Sequence, residues 1–288
     1  MALSAEELIK RLKNIKLVVT DVDGTLVTSE YKLSPGLTEL NKKLKEKGIG
    51  FSIASQRVHS SIVPIARELD LTIPLISLNG SLIQDMAGNN ILFKGVLNSN
   101  FVDKVIKISE DNFIKLALSY NDKIIFTEDN SVFKDFFPVP DAEYLCINSY
   151  KGYNDGVLRI YLSGDNKEKI LKLKRKIKPF YKFNITANFF RSQTHKGLYK
   201  LEVYPSSVSK KKALGTLAKY LKLKRDEIVV IGDWYNDVEL FEFGALNVTL
   251  KNGIMDLKRK ADFVSPYSNE ENGVEDFLKI LYNSIIQN

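Results

Sequence analysis

Leu17-Val18-Val19-Thr20-Asp21-Val22-Asp23-Gly24-Thr25-Leu26 is the stretch that orders the rest of the chain. Its first four residues, apolar or β-branched, suit a short strand buried on both faces, and the acids begin directly behind them. In open α/β sheets, ligands bind at the carboxyl ends of the strands. Asp21 and Asp23, two residues apart, repel each other unless a cation or a shared proton intervenes. The spacing therefore points to a metal site or to two carboxyls with divided labour. Gly24 permits a tight turn beside a ligand. An Asp-Gly turn is ordinary at a strand end, but that alone gives no reason for Asp21 against the strand.

Working outward, further short apolar runs end in small or polar residues at Gly50 to Ala54, Leu75 to Leu78, Ile228 to Ile231 and Leu246 to Leu250. Amphipathic helices are expected between them at Ser34 to Lys47, with Ser34 capping and Pro35 in the first turn, at Ser60 to Leu69 and at Ser209 to Leu223. An amphipathic helix is also expected within Met1 to Lys16. This rhythm predicts an open, doubly wound, mainly parallel α/β core. From Asp85 to about Lys196 the pattern changes: alternating segments such as Lys123 to Thr127 and Gly156 to Leu162 dominate, with helical periodicity at Asn98 to Ser109 and Asn166 to Lys178. We expect an inserted α+β domain over residues 85–197, and a discontinuous core formed by residues 1–84 and 198–288.

Composition limits the alternatives. With 288 residues and 44% hydrophobic content, the chain can bury a full core, and no apolar run approaches the roughly 20 residues of a membrane-spanning helix. The opening segment has no basic stretch leading into an apolar one, so an unexported, cytoplasmic protein is expected. Cys146 is the only cysteine, which excludes an internal disulfide and a multi-cysteine zinc site. The net charge of +7 suits nucleic acid, an anionic surface or phosphorylated metabolites alike. The lysines of Lys167 to Lys182 alternate with Ile170, Leu171, Leu173 and Ile177, which reads as a solvated helix face. Neither a nucleic-acid nor a membrane partner is expected.

A second acidic cluster, Gly232-Asp233-Trp234-Tyr235-Asn236-Asp237, again follows an apolar run at an expected carboxyl end. Magnesium takes one or two carboxylates together with water and phosphate oxygens, and the two clusters together supply them. Asp233 is the candidate direct ligand and Asp237 a residue ordering its surroundings. Ser55, directly after Phe51-Ser52-Ile53-Ala54, and Lys210, at the start of a helix, offer a hydroxyl and an ammonium suited to a phosphate.

Taken together, Asp21-Val22-Asp23-Gly24-Thr25, Ser55, Lys210 and Gly232 to Asp237 resemble the four ordered motifs of haloacid dehalogenase-like phosphatases, most closely the Cof-type group. Asn79-Gly80-Ser81, Leu201-Glu202-Val203, Ala261 to Val264 and Asn272-Gly273-Val274 add to the likeness. Ser55-Gln56-Arg57 departs from the usual Thr-Gly-Arg of the second motif, and Trp234 and Tyr235 are larger than usual in the fourth. The resemblance implies a Rossmann-like core carrying an inserted cap that reads the leaving group. It implies Asp21 as nucleophile, forming an aspartyl-phosphate, and Asp23 as the acid and then base. It further implies Mg2+ held by Asp21, the Asp23 carbonyl and Asp233, with Asn236 and Asp237 ordering the shell, and a phosphoryl group held by Ser55, Lys210 and Gly24. Cap residues Arg159, Tyr161, Asn188, Arg191 and His195 are candidates for contact with the substrate.

The function expected is magnesium-dependent hydrolysis of small phosphomonoesters, sugar phosphates above all. Two alternatives stay open: a phosphomutase, which would isomerise a sugar phosphate without releasing phosphate, and a non-catalytic module sensing a phosphorylated metabolite. The second would be expected to lose a catalytic residue, yet Asp21, Asp23, Ser55, Lys210 and Asp233 are all present.

Overall fold

A computed structural model describes residues 3–127, 142–179, 184–192 and 196–286. The described residues fall into two compact units, one drawn from Met1–Gln56, Ile62–Phe93 and Ser209–Asn288, the other from Arg57–Ser61 and Lys94–Val208.

The first unit is built on a five-stranded sheet in the order Phe263–Val264, Leu246–Thr249, Ile228–Ile231, Leu17–Thr20, Gly50–Ile53. All its pairings are parallel, and Thr20 is in register with both Ile231 and Ile53. Parallel strands covered on both faces have no solvent side, which is why Leu17–Thr20 and Ile228–Ile231 are buried at every position. Their alternation feeds two layers. Val18, Val229 and Ile231 join Leu12, Leu37 and Phe277 on one face, while Leu17, Val19, Ile228 and Val230 join Leu214, Leu217 and Leu240 on the other. This is a doubly wound α/β fold, and it brings the two acidic segments out side by side at the carboxyl ends of neighbouring strands.

Two local expectations are corrected in this unit. Leu75–Ser77 is not a full member of the parallel sheet: it bridges in parallel only from Ile76 to Ala54 and otherwise pairs antiparallel with Leu82–Gln84, in a separate three-stranded sheet that includes Ile91–Lys94. The helix expected from Ser34 begins at Leu37, with Gly36 at its N-cap and no side-chain capping bond. The Gly36 N–H donates instead to the Glu275 carboxylate at 3.1 Å, a partner that lies far away in sequence. At the other end of the chain's first segment, Ser4 and Glu7 form a reciprocal capping box at the start of the amphipathic helix Ala5–Leu12.

The second unit is a six-stranded sheet in the order Ile185–Arg191, Tyr199–Pro205, Arg159–Gly164, Lys115–Ser119, Lys123–Phe126, Glu143–Cys146. It is antiparallel except for the last pair. Helices Ser99–Glu110 and Lys167–Ile177 start at Asn98 and Asn166, whose side chains accept N–H bonds from Phe101 and Lys169. Their Phe101, Val105, Ile170 and Leu173 pack with Leu116, Leu118, Ile160, Leu162, Leu201 and Val203 from one face of the sheet.

The unit boundaries differ from those expected at 84/85 and 197/198. Ile91–Lys94 is the third strand of the hairpin sheet, so the first unit runs on to Phe93. Tyr199–Pro205 pairs with Ile185–Arg191 on one side and Arg159–Gly164 on the other, so it belongs to the inserted unit. Its alternation of Tyr199, Leu201 and Val203 with Lys200 and Glu202 is that of a strand with a single apolar face, unlike the uniformly apolar strands of the core.

Candidate active site

Asp21 continues its strand by one residue, its N–H donating to the Ile231 carbonyl at 2.9 Å, and is only 3% exposed. Asp233 leaves the neighbouring strand two residues beyond Ile231. The two segments approach closely because Gly24 lacks a side chain: a Cβ there would lie 2.4 Å from an Asp233 carboxylate oxygen, and its φ of +76° strains any other residue. The Thr25 hydroxyl donates to Asp233 Oδ1 at 2.6 Å, Asn252 Nδ2 donates to the Gly24 carbonyl at 2.7 Å, and the Ile254 N–H donates to the Asp233 carbonyl at 2.9 Å. Gly24→Ala is expected to push Asp233 out of place, weakening divalent-metal affinity and any turnover at this site by about tenfold or more while the fold survives. Metal titration and steady-state kinetics on that variant check this.

Lys210 opens the helix Lys210–Tyr220, capped by the Ser209 hydroxyl, and is 2% exposed. Its Nζ donates to Asp21 Oδ1 at 2.6 Å and to Asp237 Oδ1 at 2.7 Å. The other oxygen of Asp237 accepts the N–H groups of Asp233 at 3.1 Å and Trp234 at 3.2 Å. Asp237 is thus fully engaged in shaping the loop. Gly232 is held small by the same side chain, since a Cβ there would meet the Asp237 carboxyl carbon at 2.6 Å.

Asp21, Asp233 and Asp237 each offer a carboxylate oxygen, all within 4.8 Å of one another. Burial pushes the Asp21 carboxyl well above the usual carboxylate range, and the charge of Asp237 adds to this against the pull of Lys210. Asp233 is pushed up to about 7, again chiefly by burial, with the Thr25 hydrogen bond opposing. Burial by itself would lower the Lys210 ammonium, but Asp21 and Asp237 outweigh it and hold the charge in place. One ammonium among three crowded carboxyls leaves a surplus of negative charge, and the hard-oxygen donor set fits a divalent cation.

Of the remaining expected site residues, Asp23 is half-buried and its charge acts on both Asp21 and Asp233. Ser55 is fully buried, one residue past Ala54, whose N–H donates to the Thr20 carbonyl at 2.8 Å beside the strand that delivers Asp21. Asn236 sits half-buried in the turn Tyr235–Asp237. Trp234 and Tyr235 pack edge-to-face on each other with ring centroids 5.4 Å apart and remain 41% and 60% exposed. Thr25 and Asn252 were missed by sequence reasoning. Thr25 stands beside the Asp-Gly turn and is visible there, but nothing near Asn252 marks its reach to Gly24, 228 residues away.

In the second unit, Arg159 Nη1 donates to Glu202 at 3.0 Å and its guanidinium lies 4.2 Å from the Tyr204 ring centroid, while Asn188 donates to the Tyr204 hydroxyl at 2.6 Å. Arg159 and Tyr161 alternate with Ile160 and Leu162, so they occupy the sheet face opposite the helix-packed core. Arg191 closes the Ile185–Arg191 strand and is exposed, and His195 lies outside the described residues.

Residues 18–278 match the family profile of haloacid dehalogenase-like hydrolases, and the chain belongs to that family. It is similar to the 5-amino-6-(5-phospho-D-ribitylamino)uracil phosphatase YwtE of Bacillus subtilis, 25% identical over 293 residues that cover 92% of this chain and 97% of that one. Among solved structures it resembles a haloacid dehalogenase-like hydrolase from Bacteroides thetaiotaomicron, with a TM-score of 0.81, 24% identity and coverage of 93% and 99% of the two chains. TM0651 from Thermotoga maritima gives a TM-score of 0.79 at 24% identity, with 92% and 97% covered. The chain is accordingly a phosphatase of this family acting on a small phosphorylated molecule, with an aspartate cluster able to hold a divalent metal. Among the described residues, no helix is long and apolar enough to cross a membrane.

Proposed function

We propose that this protein hydrolyses small phosphorylated metabolites, sugar phosphates above all, in a magnesium-dependent reaction through an aspartyl-phosphate on Asp21, in the cytoplasm. The observation that carries this reading is the buried Lys210 ammonium bonded to both Asp21 and Asp237, with the Asp233 carboxylate close by.

Asp21 Oδ attacks phosphorus, and the bond to the leaving oxygen breaks as Asp23 protonates it. Asp23, now a carboxylate, takes a proton from a water that attacks the same phosphorus, releasing phosphate and restoring Asp21. Ser55 and Lys210 hold the transferring group, beside the space that Gly24 leaves open. Two of the three Lys210 donors are engaged with carboxylates, and the third serves a phosphoryl oxygen. Asp21, the Asp23 carbonyl and Asp233 would hold magnesium, with Asn236 and Asp237 keeping them in place. The bound ion supplies the positive charge that lets a carboxylate meet a phosphate dianion. The inserted unit, expected as residues 85–197 and here Lys94–Val208, governs substrate choice through polar residues such as Arg159, Tyr161 and Asn188. The ribityl phosphate in the name of YwtE, a phosphomonoester on a polyhydroxylated chain, supports the sugar-phosphate class.

The test is phosphate release from sugar phosphates, nucleotides and phosphorylated cofactors, with magnesium and with chelator. Metal-dependent release, largest with polyhydroxylated substrates, is expected. Isomerised product without phosphate would indicate a mutase, and no turnover of any compound would indicate a sensing module.

The raised carboxyls give a pH dependence with a definite sign. A carboxyl raised on folding binds its proton more tightly folded than unfolded, so metal-free stability falls as pH rises from the ordinary carboxylate range through about 7. Magnesium must displace that proton, so its affinity should rise with pH up to and through about 7, and the raised Asp21 carboxyl acts in the same direction. Calorimetric titration across that range checks this; a flat profile would contradict it.

A further inference from the structure

Leu78, Asn79 and Gly80 follow one another in the left-handed region, with φ of 50°, 50° and 94°. Glycine is at home there, but a leucine is not. Non-glycine residues persist in such conformations where their surroundings hold them, commonly at functional sites. What holds this turn connects it to two separate parts of the phosphatase site.

On one side, the Asn79 N–H donates to the Ser55 carbonyl at 2.9 Å, while the Ser55 N–H donates to the Ile76 carbonyl, also at 2.9 Å. Both backbone groups of Ser55 are thereby tied to the hairpin. On the other side, Gly80 lies against the residue that caps the Lys210 helix. A Cβ on Gly80 would be 2.4 Å from the Ser209 carbonyl oxygen, 2.7 Å from its carbon and 3.0 Å from the Ala213 Cβ. Ser209 fixes the first turn of that helix by accepting the Lys212 N–H, and the next residue reaches Asp21 and Asp237. The carboxamide oxygen of Asn79 is buried with no hydrogen-bond partner among the described residues, and the 2.9 Å bond to the Ser55 carbonyl comes from the main-chain N–H.

We infer that Leu78-Asn79-Gly80 is a positioning element for the phosphoryl group, setting Ser55 through a backbone bond and Lys210 through the Ser209 carbonyl. The inference rests on the assignment of Ser55 and Lys210 to that group. Two side chains 155 positions apart in sequence must keep a fixed separation to grip one tetrahedral anion, and a misplacement of the order of 1 Å costs far more in rate than in fold. The left-handed turn meets this need. Its conformation lets one N–H face Ser55 while the adjoining glycine backbone abuts Ser209.

The test separates backbone conformation from side-chain chemistry. Asn79→Gly and Asn79→Val both delete the carboxamide, but glycine keeps the left-handed conformation and a β-branched valine opposes it. The full-length proteins are titrated with inorganic phosphate in the presence of magnesium and assayed on p-nitrophenyl phosphate. Asn79→Gly, the conformationally matched variant, should stay within about twofold of wild type, whereas Asn79→Val should lose about tenfold or more in both phosphate affinity and kcat. Magnesium affinity should fall by several-fold less than phosphate affinity in Asn79→Val, because the turn bonds Ser55 directly but reaches Asp21 and the Asp233 loop only through Lys210, a split that a general loss of structure would not give. If Asn79→Val does not fold, Asn79→Ala, which opposes the turn less, carries the same comparison. Gly80→Ala should match the valine variant. Gly215→Ala, in the same helix with its added Cβ meeting only Phe243 at 3.6 Å, should not. Wild-type phosphate binding by folded Asn79→Val, or equal impairment of the glycine and valine variants, would overturn the turn's role alone. Failure of the wild type itself to bind phosphate would overturn the site assignment and the inference with it.

Discussion

Asp21→Asn should reduce turnover by on the order of 10⁴-fold or more, because it removes the attacking oxygen's charge while keeping the side chain's size. The fold should survive. Asp21 is buried in a crowd of like charges, and its carboxyl is already pushed well up by burial and by Asp237. Neutralising it relieves that repulsion at the cost of one charged partner for Lys210. The two effects oppose each other, so the unfolding midpoint should shift little. Magnesium affinity should fall as well, since a carboxylate ligand is lost. Near-normal turnover by a folded Asp21→Asn protein would contradict the mechanism outright.

Lys210→Met should be damaging in a different way. It leaves Asp21 and Asp237 buried without their cation, and breaking a buried pair from one side commonly costs about 3–5 kcal/mol. Part of that penalty is escaped by protonation, so the loss should be smaller at low pH and grow as the carboxyls are forced to ionise. Asp237 also accepts the N–H groups of Asp233 and Trp234, so strain at Asp237 passes directly to the loop that carries Asp233. An activity loss of about 10²–10³-fold is expected from the missing donor alone. Lys210→Arg should not rescue it, because a forked guanidinium does not fit where an ammonium is 1% exposed. Denaturant midpoints at two pH values, together with kcat, check the prediction; unchanged stability and activity would contradict it.

The parts of this structure that were legible in the sequence are those decided locally. The uniformly apolar run Ile228–Ile231 forms a strand covered on both faces, and the helices expected from Asn98, Asn166 and Ser209 start there because each of those side chains accepts the backbone N–H three residues on. The acidic segments were legible because a carboxylate directly behind a buried strand needs a reason. What escaped was decided by distant partners. The alternation of Tyr199–Pro205 is the same whichever sheet receives it; its membership of the inserted unit comes from pairing with Ile185–Arg191 and Arg159–Gly164. The start of Leu37–Glu46 was displaced by Glu275, and the left-handed Leu78 has no signature because leucine does not favour that conformation. In the site, Asp237 was expected only to order the metal's surroundings. The geometry adds that it holds Lys210 and two loop N–H groups at once.

The central claim is that Asp21 becomes covalently phosphorylated. It is tested most directly by mixing the protein with substrate carrying labelled phosphate, quenching in acid within a single turnover, and mapping the label by peptide digestion. A hydroxylamine-sensitive label on the peptide containing Asp21, absent from Asp21→Asn, is the predicted result. Rapid phosphate release by wild type with no label on that peptide at any quench time would contradict it.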